Sequence, residues 1–258
     1  MKLKRDKHGH KGTFGTVLVI GGSYNELVMF GGTVLAAKAC LRTGAGKVIV
    51  ALPKELAVGA ITLLPEAIAF PINESQIDLV ALNKQIKAVD IIVVGPGWSE
   101  ADYQTEVLEF VLKEQKPTII DAGALNTIAE NSKITELVHN KCILTPHTGE
   151  LNRLKTALEC SSAQDISIKT GSIVVHKSST TELTDGKKSW TLNKPNSALA
   201  TAGSGDVLAG MIGGLVAQYS SSYELFDIAK TAINMHSKAG AQLRPGALAS
   251  EIIDKIVI

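Results

Sequence analysis

A stretch near the start of the chain decides the fold: TVLVIGG, which covers Thr16–Gly22. Its apolar residues show no polar alternation, so the run predicts a strand that is buried on both faces of a sheet. The stretch GGTVLAAKACLRTG (Gly31–Gly44) follows, with apolar residues at helical spacing and a final glycine that suits the position just after a helix. The next run, KVIVAL (Lys47–Leu52), is again typical of a strand. A strand, a helix and a second strand predict a parallel pair.

Further strand-like runs continue this alternation through most of the chain. They lie within residues 66–71, 90–97, 117–123, 142–147 and 172–178, and the last third of the chain is helical. Such strands are buried when helices cover both faces of a parallel sheet. Asp185-Gly186 lies between two alternating arms and predicts a type I′ hairpin, which adds an antiparallel pair at one edge of the sheet. We find no linker, repeat or low-complexity tract, so residues 1–258 are predicted to form one domain.

The composition excludes several classes of protein. The chain has 258 residues, of which 45% are apolar and 20% are charged, as in ordered globular proteins. A net charge of +1 gives no general attraction to nucleic acid. We expect no membrane span and no secretory signal peptide, and therefore a cytoplasmic protein. The three cysteines are widely spaced, which favours reduced thiols over disulfides or a metal knuckle.

Small or polar residues follow five of the predicted strands, in the motifs GGS, GPGW, DAGALN, TPHTGE and HKSS. In open parallel sheets, ligands bind beyond the carboxyl ends of the strands. Glycine and proline are also what ordinary strand-to-helix turns require. Asp121, His147 and Glu150 add chemical groups that turns do not need. The sequence therefore predicts a binding site at this rim of the sheet.

Later in the chain, ATAGSGDVLAGMIGGL (Ala200–Leu215) places small residues in front of one acidic residue and an apolar helix. The backbone N–H groups of Gly203, Ser204 and Gly205 can face a ligand there, and a helix start favours an anion. Asp206 has two interpretations of equal weight. It either caps the helix, or it is a general base that removes a proton from a substrate hydroxyl beside the anion.

A second group of candidates follows the strand that ends in VVHKS. Lys177 precedes four hydroxyl residues, Ser178, Ser179, Thr180 and Thr181. This composition suits the phosphates or ribose of a nucleotide. The structural alternative is a solvated strand end that leads into the hairpin.

Two further strand ends carry candidate groups with structural alternatives of their own. His147 either donates a hydrogen bond to a phosphate or amide, or has a structural role. Glu150 either binds a metal ion, directly or through water, or stabilises the start of a helix. In VGPGW, Gly97 allows a close backbone approach to a ligand, and Trp98 either stacks on a ring or covers the core.

Taken together, the motifs HKGTFGTVLVIGGS, AAKACLRTGAGKV, VGPGW, LTPHTGE and NSALATAGSGDVLAGMIGGL resemble those of the ADP/ATP-dependent NAD(P)H-hydrate dehydratases, in the same order and at similar spacing. The resemblance extends from about His10 to near Ile253. It implies a three-layer α/β/α fold of the ribokinase-like type, with a mostly parallel central sheet and a β-hairpin at one edge.

The resemblance also implies the chemistry. Hydrated NADH or NADPH, which carries a 6-hydroxyl group, would lose water in a reaction driven by ADP or ATP with Mg²⁺. The nucleotide would phosphorylate that hydroxyl, with Asp206 as the base, and loss of phosphate would restore the nicotinamide double bond. By matching position, Gly205 would contact the nucleotide, Lys177–Thr181 would line its adenosine side, and Gly32, Gly97, His147 and Asp206 would contact the hydrated dinucleotide.

The chain departs from the usual residues of that family at Gly32, Gly123, Thr148, Ser178 and residues 197–199, while Asp206 is unchanged. Two alternatives to the dehydratase remain open: a small-molecule kinase of the same fold, for example one that acts on a vitamin precursor, and a nucleotide-binding sensor without catalysis. The resemblance implies a homo-oligomer, as a tetramer, and a separate epimerase that acts on the same metabolite. Neither a nucleic-acid nor a membrane partner is expected.

Overall fold

The computed structural model describes residues 1, 3–99 and 102–258, and a sheet of nine strands forms its centre. The strands are β1 (Thr16–Ile20), β2 (Ser23–Tyr24), β3 (Val28–Met29), β4 (Lys47–Pro53), β5 (Ile68–Ile72), β6 (Ile91–Val94), β7 (Thr118–Ile120), β8 (Cys142–Leu144), β9 (Ile173–His176), β10 (Thr180–Thr184) and β11 (Ser189–Asn193). Across the sheet the order is β11-β10-β9-β8-β7-β6-β1-β4-β5, and β2 pairs with β3 in a separate ribbon.

Eleven α-helices occur in the described part of the chain. They are α1 (Gly31–Arg42), α2 (Ala57–Leu63), α3 (Leu79–Ala88), α4 (Asp102–Lys113), α5 (Gly123–Glu130), α6 (Ser132–Thr135), α7 (Thr148–Ala157), α8 (Ala163–Thr170), α9 (Ser204–Tyr219), α10 (Leu225–Gly240) and α11 (Ala249–Asp254). Over the described residues, no helix is long and apolar enough to cross a membrane.

Strand β1 shows why the apolar strands form three layers. Val17 and Val19 pack on one face of the sheet, in a core that also contains side chains of α1, α9, α10 and α11. Leu18 and Ile20 pack on the other face, against side chains of helices α3 to α8. Successive residues of a strand point to opposite faces, and here both faces are dry, so the strand carries no polar alternation. The predicted α/β/α architecture is therefore confirmed.

The pairing of the strands also agrees with the sequence-based prediction. Strands β1 and β4 to β9 are parallel, and each of the predicted strand runs overlaps one of them. β10 is antiparallel to β9, and β11 is antiparallel to β10, so a hairpin lies at one edge of the sheet. The strand order reverses at β1, which has β6 on one side and β4 on the other. In open α/β sheets, this reversal opens a crevice for ligands.

One prediction about the hairpin is wrong. A type I′ turn requires two consecutive central residues with positive φ. The residue pair Thr184↔Ser189 closes a longer loop in which Gly186 has φ of 84° and Asp185 does not have a positive φ. The Asp185 carboxylate instead accepts hydrogen bonds from the backbone N–H groups of Lys187 and Lys188, at 2.9 and 2.6 Å. This acidic side chain shapes the turn through its own hydrogen bonds.

Candidate active site

The predicted anion cradle, residues 203–205, lies at the amino-terminal end of α9. Gly203 is the N-cap, and its φ of 90° is the left-handed conformation that favours glycine. The helix therefore begins at Ser204, and Asp206 lies in its first turn rather than at its opening, so Asp206 is not the N-cap residue. The Ser204 amide donates to the Thr201 carbonyl oxygen at 3.2 Å and is not free for a ligand. Across the described residues, the amides of Gly203 and Gly205 have no protein acceptor and remain available to an anion.

The Asp206 carboxylate lies against the first turn of α1. A Cβ atom placed on Gly32 would lie 2.8 Å from Asp206 Oδ1, so the two residues are in direct contact. Next to Gly32, the Thr33 hydroxyl donates to the Pro96 carbonyl oxygen at 2.8 Å, which holds the β6 turn containing Gly97 close to α1. The structure thus places three of the residues expected to bind substrate in the crevice beside β1.

The charge on Asp206 is strongly affected by its surroundings. Burial raises the pKa of the Asp206 carboxyl to about 7, the negative charge of Asp121 adds to the rise, and the Lys177 ammonium opposes it. A carboxyl group with a pKa near 7 is well matched to proton transfer at neutral pH. The position and pKa of Asp206 therefore suit a general base.

The Lys177 ammonium lies among three carboxylates, those of Asp121, Glu150 and Asp206. Its Nζ lies 2.5 Å from Asp121 Oδ1, and the Thr145 hydroxyl donates to the same oxygen at 2.8 Å. Burial alone would lower the pKa of the Lys177 ammonium, but the carboxylates of Asp121 and Glu150 raise it. The same Nζ would lie 2.9 Å from a Cβ atom on Gly205. The ammonium therefore lies at the anion cradle, because the buried Asp121 carboxylate holds it there.

His147 caps helix α7. Its Nδ1 accepts hydrogen bonds from the amides of Gly149 and Glu150, at 2.9 and 3.3 Å. The Glu150 carboxylate accepts a hydrogen bond from the His147 amide at 2.8 Å. It also lies 3.3 Å from Nε2 of the His147 ring. Burial raises the pKa of the Glu150 carboxyl, against the opposing effect of Lys177. Both residues thus have the structural role that the sequence left as an alternative, and they also lie at the rim.

A cavity of about 650 Å³ opens beside the cradle. Its apolar wall includes Leu192, Leu199, Leu208 and Ile233. Its polar wall includes these residues from the sequence-based set: His147, Lys177, Ser178, Ser179, Thr181, Ser204 and Gly205. Such a combination of apolar surface and convergent polar groups is typical of a small-molecule site.

Thr180 is the one member of the predicted hydroxyl run that does not line this cavity. Its hydroxyl donates to Asn193 Oδ1 at 3.3 Å, across the β10–β11 pair. Neighbouring residues of a strand point to opposite faces, so Thr180 and Thr181 cannot both face the cavity. The structure therefore sets Thr180 apart from the other members of the run, and its contact with the nucleotide stays a prediction.

His236 is a residue of this site that the sequence reasoning missed. It lines the cavity, and its Nε2 lies 3.2 Å from the Ser204 hydroxyl. Burial lowers the pKa of the His236 imidazole to about 4, so the ring is neutral at physiological pH. A single histidine inside an apolar helical pattern gives no signal of such a contact, because Ser204 lies 32 residues earlier in the chain.

On the other side of β7, Trp98 packs against the turn that follows this strand. Trp98 is 5% exposed and belongs to the core, which favours the core-cover alternative over ring stacking. A Cβ atom on Gly123 would lie 2.6 Å from both Cβ and the carbonyl oxygen of Trp98. The absence of a side chain at Gly123 therefore allows the Trp98 loop to close onto α5.

This contact predicts a loss of stability in Gly123→Ala. The new methyl group forces the Trp98 loop to move, so the free energy of unfolding should fall by about 1–3 kcal/mol in urea denaturation. Gly31→Ala is the matched control, because Gly31 also begins a helix but has no atom within 4 Å of a Cβ position. Equal stability of the two variants would contradict the close contact.

The described residues contain no cluster of three or more His, Cys, Asp or Glu side chains arranged to hold a metal ion. Three carboxylates, those of Asp121, Glu150 and Asp206, nevertheless act on one ammonium, that of Lys177. The cluster therefore has an excess of negative charge. Magnesium keeps several of its waters and usually binds one or two carboxylates together with substrate phosphates. This donor set fits an ion that arrives with a nucleotide, not one held by the protein alone.

Comparisons with known proteins identify the family of the chain. A profile of the NAD(P)H-hydrate dehydratase family matches residues 17–256. The ADP-dependent (S)-NAD(P)H-hydrate dehydratase of Lactococcus lactis is 37% identical over 245 residues, which cover 91% of this chain and 84% of that protein. The bifunctional NAD(P)H-hydrate repair enzyme Nnr of Coxiella burnetii is 35% identical over 92% of this chain, which spans only 47% of that longer protein.

The crystal structure of a ribokinase-like superfamily protein from Enterococcus faecalis superposes with a TM-score of 0.86 and 27% identity, over 98% of this chain and 89% of that chain. The fold and the rim site thus define a ribokinase-like, nucleotide-dependent enzyme. Within that class, the chain belongs to the NAD(P)H-hydrate dehydratase family. Enzymes of this family are lyases that repair a damaged metabolite.

Proposed function

We propose that this protein restores NADH or NADPH from its hydrated form with ADP or ATP as co-substrate, and that Asp206 is the catalytic base. The observation that carries the proposal is the position of an acidic side chain with a pKa near 7 in the first turn of a helix that begins with free amides. The name of the Lactococcus lactis relative supports the hydrated dinucleotide as substrate and ADP as the nucleotide.

The residues act in a defined order in this proposal. The nucleotide occupies the 650 Å³ cavity, and its terminal phosphoryl group accepts hydrogen bonds from the amides of Gly203 and Gly205. Asp206 takes the proton of the substrate hydroxyl while that oxygen bonds to phosphorus and the bond to the nucleotide breaks. The carbon–oxygen bond then breaks, phosphate leaves, and a neighbouring ring carbon loses its proton to form the double bond. Phosphoryl transfer depends on this kind of positioning and charge neutralisation.

Lys177 and Glu150 would support this transfer from the two sides of the cradle. The Lys177 ammonium, held by Asp121, offsets the charge of the phosphoryl group. Mg²⁺, when bound with the nucleotide, would supply further neutralisation of the phosphates, and Glu150 would hold it through water. The tetramer, the separate epimerase, the cytoplasmic location and the single domain over residues 1–258 stay predictions.

The proposed reaction is tested by incubation of the protein with hydrated NADH, Mg²⁺ and either ADP or ATP. We expect absorbance at the reduced-nicotinamide band to recover and inorganic phosphate to be released in equal amount. A stable phosphorylated product would instead favour a small-molecule kinase. Tight nucleotide binding without turnover would favour a nucleotide-binding sensor, and either result would overturn the proposal.

The raised pKa of Asp206 predicts the pH dependence of the reaction. The base acts only as a carboxylate, and a pKa of about 7 means that this form is lost as the pH falls below 7. We expect kcat/KM to fall about tenfold for each pH unit below 7 and to reach a plateau above pH 8. The measurement is kcat/KM from pH 5 to 9 at saturating nucleotide. A flat profile between pH 6 and 8 would contradict the assignment of the base.

A further inference from the structure

A second cavity, of about 920 Å³, opens on the other side of the β7–α5 turn. Asp121, at the start of this turn, binds Lys177 in the first site, whereas Gly123, two residues later, lines the second cavity. Ala122 between them has φ of 47° and ψ of −124°, an uncommon conformation for a residue with a side chain. The turn therefore lies between Lys177, which lines the first cavity, and the second cavity.

We propose that the second cavity binds the remote adenosine half of the hydrated dinucleotide and selects the form with a free ribose 2′-hydroxyl, the hydrated NADH. This inference rests on the proposed function. A dinucleotide has two nucleosides, and only one of them reacts at Asp206. Since the co-substrate nucleotide occupies the first cavity, the second nucleoside of the substrate requires another one. A volume of about 920 Å³ lies within the usual range of small-molecule sites.

Arg153 on α7 connects the two sites. Its Nε donates to Asn126 Oδ1 at 3.0 Å, and Asn126 lines the second cavity. The end of the same guanidinium would lie 4.0 Å from a Cβ atom on Gly149, two residues after His147 in the first cavity. A guanidinium is the side chain best suited to bind phosphate oxygens through paired hydrogen bonds. Arg153 is therefore placed to bind the pyrophosphate of a substrate that extends from Asp206 to the second cavity.

The selectivity for hydrated NADH over hydrated NADPH follows from the charged residues that line the second cavity. Glu26 and Glu130 line it, and in the described structure neither carboxylate has an ion-pair or hydrogen-bond partner. No lysine or arginine is among the described residues that line it. A carboxylate accepts a hydrogen bond from a ribose 2′-hydroxyl but repels the 2′-phosphate of NADPH. The amide side chains of Gln104, Asn126 and Asn131 add neutral hydrogen-bonding groups around the nucleoside.

The inference is tested by kcat/KM for hydrated NADH and hydrated NADPH, with ADP and Mg²⁺ at saturation. We expect the wild-type protein to prefer hydrated NADH by about tenfold or more, since a like charge opposes the 2′-phosphate. In Glu130→Gln the preference should fall by about 3- to 10-fold, and Glu26→Gln should act in the same direction. Glu66→Gln is the control, because Glu66 is exposed and lies outside both cavities. Its preference should equal that of the wild type.

Failure of the inference and failure of the proposed function give different results. Equal kcat/KM for the two hydrates, or a preference unchanged by Glu130→Gln, overturns the inference and leaves the dehydratase in place. If neither hydrate reacts, the proposed function is overturned, and calorimetric titration with NADH and NADPH tests the cavity by itself. In that titration we expect tighter binding of NADH in the wild type and a smaller difference in Glu130→Gln. Equal affinities in the wild type overturn the inference.

Discussion

Asp206→Asn is expected to reduce turnover of the hydrated dinucleotide by roughly 100-fold or more while the dissociation constant for ADP changes little. The amide has nearly the shape of the carboxylate but cannot accept the proton of the substrate hydroxyl. The two cradle amides that we assign to the phosphoryl group, those of Gly203 and Gly205, are unchanged by the substitution. Steady-state kinetics and calorimetric titration with ADP measure the two effects separately.

The same substitution should make the protein more stable at neutral pH. The folded pKa of Asp206 is about 7, above the value of 3.8 for a free carboxyl, so ionisation disfavours the folded state. The penalty is absent below pH 3.8, grows between pH 4 and 7, and is complete above pH 7. We expect Asp206→Asn to gain roughly 1–3 kcal/mol in free energy of unfolding at pH 8.

Asp227→Asn is the matched control for both measurements. Asp227 occupies the same first-turn position of α10 that Asp206 occupies in α9, but it is exposed. It should retain wild-type turnover and show little change in stability. Near-normal turnover in Asp206→Asn would contradict the assignment of Asp206 as the base. Asp206 would then be an acidic first-turn residue that only stabilises the start of α9.

Lys177→Met is expected to lower the free energy of unfolding by about 3–5 kcal/mol, because it leaves the buried Asp121 carboxylate without its cation. Asp121 is 1% exposed, so water cannot replace the lost partner. Among the residues that the structure describes, the hydrogen-bond donor that then remains for its Oδ1 atom is the Thr145 hydroxyl. Urea denaturation at pH 8 measures the loss, and turnover should fall as well because the cradle loses its positive charge.

A double substitution separates the ion pair from general damage. In Lys177→Met combined with Asp121→Asn, the unpaired charge is gone, and part of the lost stability should return. Lys187→Met is the control, since this lysine lies exposed in the β10–β11 loop and should change stability by less than about 0.5 kcal/mol. A loss below about 1 kcal/mol in Lys177→Met would show that the Asp121 carboxylate does not depend on this ammonium.

Local sequence was sufficient to predict the strands and the position of the cradle. Runs such as Val17–Ile20 are apolar at every position, and this pattern is typical of a parallel sheet covered on both faces. The small residues before Asp206 likewise predict a helix start that favours an anion. These features depend on neighbouring residues, so the sequence alone carries them.

Other features required the folded chain. Thr180 and Thr181 are alike in composition, and only the pairing of β10 with β11 decides which of them faces the cavity of about 650 Å³. His236 approaches Ser204 only because α10 packs beside α9. Residues without a motif, such as Glu26 and Glu130, meet at one cavity only because the β2–β3 ribbon lies near α5.

By itself, the sequence determined the layered α/β architecture, the family and the place of Asp206 at a helix start, because each depends on patterns read over a few residues. The tertiary structure decided the positions of the charged side chains in the site. Lys177 and Asp121 are 56 residues apart in the chain, and their contact fixes the ammonium at the cradle. The pKa of Asp206 follows from the same cluster, since burial and neighbouring charge exist only when distant segments pack together.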